Sequence, residues 1–222
     1  MTAVTGRPRP SARRILLWRH GQTGWNAEDR FQGHADVDLD DVGRAQVARA
    51  ARLLARLRPA RIVSSDLRRA HHTALALASL TGLEVTCDRR LRETSYSAWE
   101  GMTAAEIDER HPGARDAWRA GGTVRPGGDG ELRTEVGARV AEALREHLAE
   151  LPPGALLVAA SHGGAVSSGI QTLLGVPPQY WPLVSGLGNC HWSLLEERRS
   201  GGWVLQEHNA GSLPEPIVGD EA

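Results

Sequence analysis

The chain has 222 residues, of which 41% are hydrophobic and 24% are charged; this suits one α/β domain or two small ones with a sizeable core. The formal net charge of −1 excludes the strongly basic character that is typical of nucleic-acid and anionic-membrane binders. All 26 basic residues are arginines, so sites that depend on a Schiff-base lysine or a phosphate-loop lysine are also excluded.

The N-terminal segment and the two cysteines predict where in the cell the protein is located. Residues 1–14 are rich in arginine and proline, and the short apolar run that follows does not suit an export signal. The sequence contains no run of 18 apolar residues, so we expect no membrane-spanning helix. Cys87 and Cys190 are too far apart for a metal-ligand or disulfide pattern, so we expect free thiols in a cytoplasmic protein. We predict a flexible basic leader at 1–14, a single domain at 15–210 and a flexible acidic tail at 211–222.

Short apolar runs alternate with helical patterns along the chain. The runs predict strands at residues 15–18, 61–65, 83–87, 155–161, 191–196 and 202–208. Apolar spacings of three and four predict helices at residues 41–57, 67–80, 103–110, 132–150 and 164–174. Thr103 and Glu106 form a capping-box pattern at the start of the third helix. The glycine-rich stretch 120–131 predicts a linker or a mobile loop.

This alternation predicts the architecture. Strands separated by helices indicate a three-layer α/β/α sandwich with a mostly parallel central sheet. The last two strands have no helix between them, and the sequence RRSGG at 198–202 predicts an antiparallel hairpin there. Neither an internal repeat nor a second domain is visible.

Polar residues follow several of the predicted strands at the point where each strand ends. The first strand ends in RHG at 19–21, and the fourth ends in SHGG at 161–164. The strand at 61–65 leads into Arg68 and Arg69. Ligands of open α/β sheets bind at the carboxyl ends of the strands. We therefore expect two histidines and at least two arginines to converge on one rim.

Four blocks of the sequence resemble the histidine phosphatase superfamily, the phosphoglycerate-mutase-like enzymes. In chain order they are RHGQTGWNAEDRFQGHADVDLDDVGRAQ, SSDLRRAHHTA, LRETSYSAWEGMTAAEID and SHGG. RHG alone is a weak signal, whereas four blocks in the family's order form a strong one. The resemblance implies a phosphoglycerate-mutase-like fold and phosphoryl transfer through a phosphohistidine.

The resemblance implies a role for each catalytic side chain. His20 is expected to be the nucleophile, because a neutral imidazole has one acceptor nitrogen that can attack phosphorus. Arg19 and Arg69 are expected to clamp the phosphoryl oxygens with forked hydrogen bonds. His162 is expected to donate to a phosphoryl oxygen opposite His20. Glu93 is expected to protonate the leaving oxygen and then to activate the water that cleaves the phosphohistidine.

The resemblance also implies contacts with phosphate or substrate. The residues with this predicted role are Asn26, Thr23, Gln32, Gly33 and Gly163. Gly163 opens a helix, and a helix N-terminus favours anions. Two residues compete for catalytic roles: Arg68, which we expect to be a surface residue or an ion-pair partner, and Glu100, which we expect to be structural.

Neither a metal nor a cofactor is expected. The predicted cluster is rich in arginine and poor in carboxylates, which disfavours a cation, and HxH and HExxH spacings do not occur. The seven tryptophans are scattered among apolar runs, which is typical of core residues and not of a nucleic-acid surface. The expected partner is a small phosphorylated metabolite, and exposed hydrophobic residues near the last strands would permit a homodimer.

Three activities remain open: hydrolysis, cofactor-dependent phosphoglycerate mutation, and phosphate binding without turnover. A silent binder would be expected to lack His20 or Glu93, and a mutase to carry a lysine-containing insertion, so hydrolysis is favoured. The stretches EIDERHPGARDAWR and WPLVSGLGNCHWSLL are similar to actinobacterial glucosyl-3-phosphoglycerate phosphatases, which implies a sugar or acid phosphate as substrate. Leu132 and Ser97 depart from the usual Ser and Gly of those enzymes, so the substrate is left open.

Overall fold

Six strands form one mixed sheet in the computed structural model, which describes residues 12–120 and 124–211. They are β1 (Arg14–Arg19), β2 (Arg61–Ser64), β3 (Val85–Cys87), β4 (Leu156–Ser161), β5 (Trp192–Glu197) and β6 (Trp203–Ala210). The strand order is β3-β2-β4-β1-β5-β6. The first four strands are parallel, β5 is antiparallel to β1, and β5 and β6 form an antiparallel pair. The predicted mostly parallel sheet and the predicted final hairpin are both confirmed.

Seven α-helices occur in the part of the chain that the structure describes. They are α1 (Gly24–Ala27), α2 (Asp41–Ala55), α3 (Arg68–Thr81), α4 (Ala104–Arg110), α5 (Ala114–Arg119), α6 (Arg133–Ala149) and α7 (Gly163–Leu174). The five predicted helices correspond to α2, α3, α4, α6 and α7. Only α1 and α5 were not predicted, because four or six residues are too few to show a helical period. The capping box at α4 is confirmed: Thr103 Oγ1 accepts from the Glu106 N–H, and the Glu106 carboxylate accepts from the Thr103 N–H.

The sheet is covered on both faces. Successive side chains of a strand point to opposite faces, so Ile15 and Leu17 of β1 enter one core while Leu16 and Trp18 enter the other. The first core packs against α6 and α7, and the second packs against α2 and α3. Each fully buried large apolar side chain contributes about 1.5–3 kcal/mol. The three-layer α/β/α prediction is confirmed.

A third, smaller apolar cluster lies outside the two main cores. Its buried members are Tyr96, Trp99, Met102, Ile107 and Trp118. Residues 124–131, the described part of the predicted linker or loop, fold back against this cluster. Gly127 has a φ of 62°, and a Cβ at this position would lie 2.3 Å from the Tyr96 carbonyl oxygen. Both the backbone conformation and the close approach therefore require glycine there.

The predicted leader and tail lie mainly outside the described residues. At the boundary of the leader, Arg14 is already the first residue of β1. Arg13 Nε donates to a Glu197 carboxylate oxygen at 2.9 Å, so this end of the domain is tied to β5. None of the helices in 12–120 and 124–211 combines the length and apolar character that crossing a lipid bilayer requires.

Candidate active site

The structure brings the polar strand ends together at one rim of the sheet. The backbone N–H of His20, just after β1, donates to the Ser161 carbonyl oxygen of β4 at 3.0 Å. The His20 and His162 ring centroids are 5.1 Å apart in an edge-to-face arrangement. Arg69 reaches the same rim from the first turn of α3, which follows β2. The parallel register of β1, β2 and β4 is therefore what assembles the site.

The environment of His20 fixes its tautomer. His20 Nδ1 lies 2.7 Å from the Gly21 carbonyl oxygen, which can only accept, so the proton of the neutral ring is assigned to Nδ1. The lone pair is then on Nε2. Burial lowers the pKa of His20 well below 6.5, and the charges of Arg69 and Arg19 lower it further. The ring is neutral at pH 7, as a nucleophile requires.

Arg69 is fully buried and fixed by three hydrogen bonds. Its Nη2 donates to the Gly33 carbonyl oxygen and its Nη1 to the Ala35 carbonyl oxygen, both at 2.8 Å. Its Nε donates to His162 Nδ1 at 3.1 Å. A guanidinium carries five N–H groups, so two remain for a ligand. Burial lowers the pKa of Arg69 to about 10, which leaves it charged at neutral pH.

Arg19 is the second cation of the site. One terminal nitrogen donates to the Leu187 carbonyl oxygen, and the buried Nε has no hydrogen-bond partner among the described residues. A Cβ on Gly163 would lie 3.4 Å from that Nε, so glycine leaves space beside the guanidinium. Burial lowers the pKa of Arg19, opposed by the charge of Glu93. An unpaired buried donor of this kind is best satisfied by an anion.

His162 lies behind Arg69. Because Arg69 Nε can only donate, His162 Nδ1 accepts, and the proton of the neutral ring is assigned to Nε2, which is 2.9 Å from Ser65 Oγ. Burial and the charge of Arg69 lower the pKa of His162 well below 6.5. Both ring nitrogens therefore have protein partners. Donation to a phosphoryl oxygen requires the ring to exchange Ser65 for the ligand, and this role stays a prediction.

Glu93 is held at the N-terminus of α7. Its carboxylate accepts from the backbone N–H groups of Thr94 at 2.8 Å, Gly164 at 3.0 Å and Ala165 at 2.9 Å. The predicted anion site at this helix N-terminus is thus filled by the protein's own carboxylate. The Glu93 carbonyl oxygen accepts from Arg139 at 2.9 Å and lies 2.9 Å from His34 Nε2, so the backbone is fixed as well.

These side chains surround a cavity of about 410 Å³, which we call the histidine cavity. Seven of the ten predicted site residues line it: Arg19, His20, Asn26, Gln32, Arg69, Glu93 and Gly163. The other three lie in the layer behind. Thr23 caps α1, and Gly33 presents its carbonyl to Arg69; a Cβ on Gly33 would also lie 2.1 Å from the Glu100 carboxylate. His162 supports Arg69.

Asn26 contacts Asn189, a residue of the histidine cavity that was not predicted from the sequence. Its Oδ1 accepts from the Thr23 N–H and from Asn189 Nδ2, both at 3.2 Å. Asn189 Nδ2 also donates to the His20 carbonyl oxygen at 3.1 Å, and Asn189 lines the histidine cavity. Asn189 could have been found from its position just before β5. Because β5 runs antiparallel to β1, the start of β5 lies beside the end of β1.

Gln32 and the two competing residues complete the inventory. Gln32 is buried, and its Oε1 has no partner among the described residues. Arg68 is exposed and pairs with Asp36, and Glu100 accepts from the His34 and Tyr96 N–H groups. Both therefore behave as expected.

No group of three or more potential metal ligands occurs in 12–120 and 124–211.

A second cavity of about 460 Å³ adjoins the first, and we call it the aromatic cavity. The two cavities share Phe31, Tyr96, Gly163, Gly164 and Gly186. The further walls of the aromatic cavity include Trp118 and Trp181. Arg119 and Arg133 are the charged residues among its described lining.

Comparison with known proteins places this site in a family. The profile of the Histidine phosphatase superfamily (branch 1) matches residues 15–211. Glucosyl-3-phosphoglycerate phosphatase of Mycobacterium tuberculosis is 43% identical over 200 residues, which cover 87% of each chain. A solved structure of mycobacterial glucosyl-3-phosphoglycerate phosphatase with VO3 has a TM-score of 0.85 and 42% identity, covering 90% of this chain and 100% of that one. The "Probable phosphoglycerate mutase GpmB" of Cronobacter sakazakii is 35% identical over 202 residues, 86% of this chain and 90% of its own.

The chain therefore belongs to the histidine phosphatase superfamily, as its four sequence blocks predicted. The resemblance of its later stretches to glucosyl-3-phosphoglycerate phosphatases is also confirmed, since relatives at 43% identity bear that name. This supports the phosphatase class over the mutase alternative, whose named relative is less similar.

Proposed function

We propose that the protein is a metal-independent phosphomonoesterase that acts through a phosphohistidine at His20. The observation that carries this proposal is a buried, neutral imidazole, fixed through Nδ1 to the Gly21 carbonyl oxygen and flanked by two buried arginines. Phosphoryl transfer requires a positioned nucleophile and fixed positive charge, and little acid chemistry on the phosphoryl group itself.

The first chemical step follows from this arrangement. The Nε2 lone pair of His20 attacks phosphorus while the bond between phosphorus and the ester oxygen breaks. The N–H groups of Arg19 and of Arg69 that have no protein acceptor bind the phosphoryl oxygens. Glu93, once protonated, gives its proton to the leaving oxygen. The alcohol departs, and the phosphoryl group remains on His20.

The second step returns the site to its starting state. The Glu93 carboxylate takes a proton from water, and the resulting hydroxide attacks phosphorus as the P–N bond breaks. Inorganic phosphate leaves and Nε2 regains its lone pair. Because Arg19 and Arg69 supply the charge that a metal would supply, no metal is needed for either step.

We infer a small phosphorylated metabolite as the substrate, with glucosyl-3-phosphoglycerate as the leading candidate. The support is the name of the relatives at 43% identity and the solved complexes of the mycobacterial enzyme with vanadate and phosphate. The adjoining aromatic cavity offers space for a leaving group of that size. A cytoplasmic location and a homodimer stay predictions, as do the separate leader and tail segments.

The test is phosphate release at neutral pH in EDTA. The substrates are p-nitrophenyl phosphate, 3-phosphoglycerate, glucosyl-3-phosphoglycerate and several sugar phosphates. We expect His20→Ala to lose at least about 10³-fold in turnover, and His71→Ala, outside both cavities on α3, to retain it. Retained turnover in His20→Ala, or a requirement for added metal, would contradict the proposal.

A trapping experiment tests the intermediate separately. Rapid quenching of the enzyme with ³²P-labelled substrate should leave base-stable, acid-labile label on the protein. The label should be absent in His20→Ala and present in His71→Ala. Direct attack of water on the substrate would give phosphate release without label.

A further inference from the structure

The described lining of the aromatic cavity carries positive charge without a carboxylate to balance it. Its described lining contains two arginines and no acidic residue. Burial raises the pKa of the Tyr96 phenol, so that group stays uncharged at neutral pH. The cavity is therefore positively charged and has no anion of its own among the described residues.

Arg133, the first residue of α6, is the half-buried member of the arginine pair. Its guanidinium carbon lies 5.5 Å from the ring centroid of Trp181, a cation–π distance. Its Nη1 donates to the Arg119 carbonyl oxygen at 3.2 Å. These contacts fix the guanidinium in place but supply no negative charge.

Other arginines of this region are paired with carboxylates. Arg139 pairs with Glu131 at 2.8 Å, Arg125 with Glu135 at 2.6 Å, and the Arg115 Nε with Asp108 at 2.8 Å. Arg133 has no carboxylate within 4.0 Å among residues 12–120 and 124–211. Burial lowers the pKa of Arg133, and the charge of Arg119 lowers it further. A half-buried cation beside a second cation is unfavourable unless an anion binds between or beside them.

Arg133 lines the cavity that adjoins the histidine cavity, so an anion bound to Arg133 can be part of the substrate. The two cavities share the wall of Tyr96 and Gly164, so the leaving group of a phosphate ester bound between His20 and Arg69 can extend along this wall. The next compartment is the aromatic cavity. An anion at Arg133 would thus belong to the leaving group of the substrate, because the phosphoryl oxygens already have Arg19 and Arg69.

We propose that Arg133 is a specificity-determining residue that binds a carboxylate of the leaving group, with Trp118 and Trp181 as apolar walls. The substrate class is then a phosphate monoester of a hydroxy acid. This inference rests on the proposed phosphatase function. A planar guanidinium matches the two oxygens of a carboxylate, and aromatic faces suit the C–H surface of a sugar or a carbon chain beside it.

The test compares two substrates that differ at one group. 3-Phosphoglycerate has a carboxylate where glycerol 3-phosphate has a hydroxymethyl group, and the ester is otherwise the same. Arg133→Gln should lower kcat/KM for 3-phosphoglycerate by about 10- to 100-fold and for glycerol 3-phosphate by less than about threefold. Arg133→Lys should fall between, because it keeps the charge and loses the fork. Arg145→Gln, on the exposed face of the same helix, is the matched control and should change neither value.

A binding measurement separates this inference from the proposed function. Calorimetric binding of both compounds is measured in His20→Ala with and without Arg133→Gln. Preference for 3-phosphoglycerate that disappears with Arg133→Gln supports the carboxylate site even where turnover of p-nitrophenyl phosphate is absent. Equal losses for both compounds would indicate a structural role, and no preference in the parent would mean that no carboxylate is bound. Either result would overturn the inference, while p-nitrophenyl phosphate turnover reports on the phosphatase proposal alone.

Discussion

The histidine cavity and the aromatic cavity share a wall but are built from different kinds of structure. In the first, Arg19 and His20 lie at the end of a central parallel strand and Arg69 lies in the first turn of α3, where it makes three hydrogen bonds. In the second, the walls come from α5, the start of α6 and the 3₁₀ turn Pro178–Leu183. His20 and the two arginines beside it are therefore positioned by the sheet and the start of α3, and most of the aromatic cavity is built from short connecting elements.

This difference implies two patterns of mutant behaviour. Changes in the histidine cavity should affect every phosphate ester, because every ester presents the same phosphoryl group there. Changes in the aromatic cavity should affect substrates according to their leaving groups. A substitution in the histidine cavity that affected only some esters, or one in the aromatic cavity that affected all esters equally, would show that the two cavities are not functionally separate.

Apart from the loss of His20, the largest expected effect is that of Glu93→Gln. Glycerol 3-phosphate has a poor leaving group, so loss of the proton donor should lower kcat by about 10²- to 10⁴-fold. p-Nitrophenolate leaves without protonation, so its release in the first turnover should slow by less than about tenfold. Later turnovers should be slow, because the same residue activates water. Stopped-flow measurement should then show a burst of p-nitrophenolate followed by a slow steady state.

The matched control for Glu93→Gln is Glu142→Gln, on the exposed face of α6. It should leave both rates unchanged. The three backbone N–H donors around Glu93 mean that an amide in its place loses one good acceptor, so the melting temperature is measured alongside. Equal slowing of the first turnover for both esters would remove Glu93 from the role of acid.

Arg69→Lys should give the next largest effect. A lysine keeps the charge but cannot reach the Gly33 and Ala35 carbonyls, the His162 ring and the phosphoryl oxygens at once. We expect kcat/KM to fall about 10²- to 10³-fold, and by the same factor for all esters tested. Arg68→Lys, its exposed neighbour paired with Asp36, is the control and should retain activity. A loss confined to one substrate would place Arg69 in leaving-group recognition instead.

Trp181→Leu should have a smaller and selective effect. Trp181 is buried, donates from Nε1 to the Val176 carbonyl oxygen at 2.8 Å and carries Arg133 over its ring. Removing the ring should lower kcat/KM for glucosyl-3-phosphoglycerate about tenfold and for glycerol 3-phosphate by less than about threefold. Trp203→Leu, on β6 away from both cavities, controls for general loss of packing. A uniform decrease for both substrates would argue against a role in selection.

The same division explains what the sequence could predict. His20 and the SHGG segment stand at the ends of apolar runs, and a parallel sheet must bring such ends to one rim. The strands, five helices and the convergence of His20, Arg69 and His162 therefore followed from local pattern and topology. The specific roles came from the family resemblance and not from spacing.

The aromatic cavity could not be predicted in this way. It depends on how α5 and the turn at 178–183 pack against the start of α6, and none of these short elements shows a period in the sequence. Asn189 was missed for a related reason, because its contact with the His20 carbonyl arises from the side-by-side placement of β5 and β1. The occupation of the α7 N-terminus by Glu93 is likewise a long-range contact, across 71 residues.

A prediction about stability again distinguishes the histidine cavity from the aromatic cavity. Burial lowers the folded-state pKa of His20 and of His162 well below 6.5, whereas both titrate near 6.5 in the unfolded chain. Below pH 6.5 the unfolded chain binds protons that the folded protein does not bind. The free energy of unfolding must therefore fall as the pH falls below 6.5 and be insensitive to these groups above it.

Between pH 7.5 and 5.5 each such histidine should lower the free energy of unfolding by at most about 1.4 kcal/mol, the limit for a ring that takes up no proton in the folded state. Urea unfolding at the two pH values measures this. His20→Gln and His162→Gln should each remove about half of the difference, while Arg133→Gln, in the aromatic cavity, should remove none. Asp88, with a pKa lowered to about 2, acts in a separate window below about pH 4. An unchanged difference in both histidine variants would mean that these rings accept protons in the folded state, and His20 would then not be the neutral nucleophile that the mechanism requires.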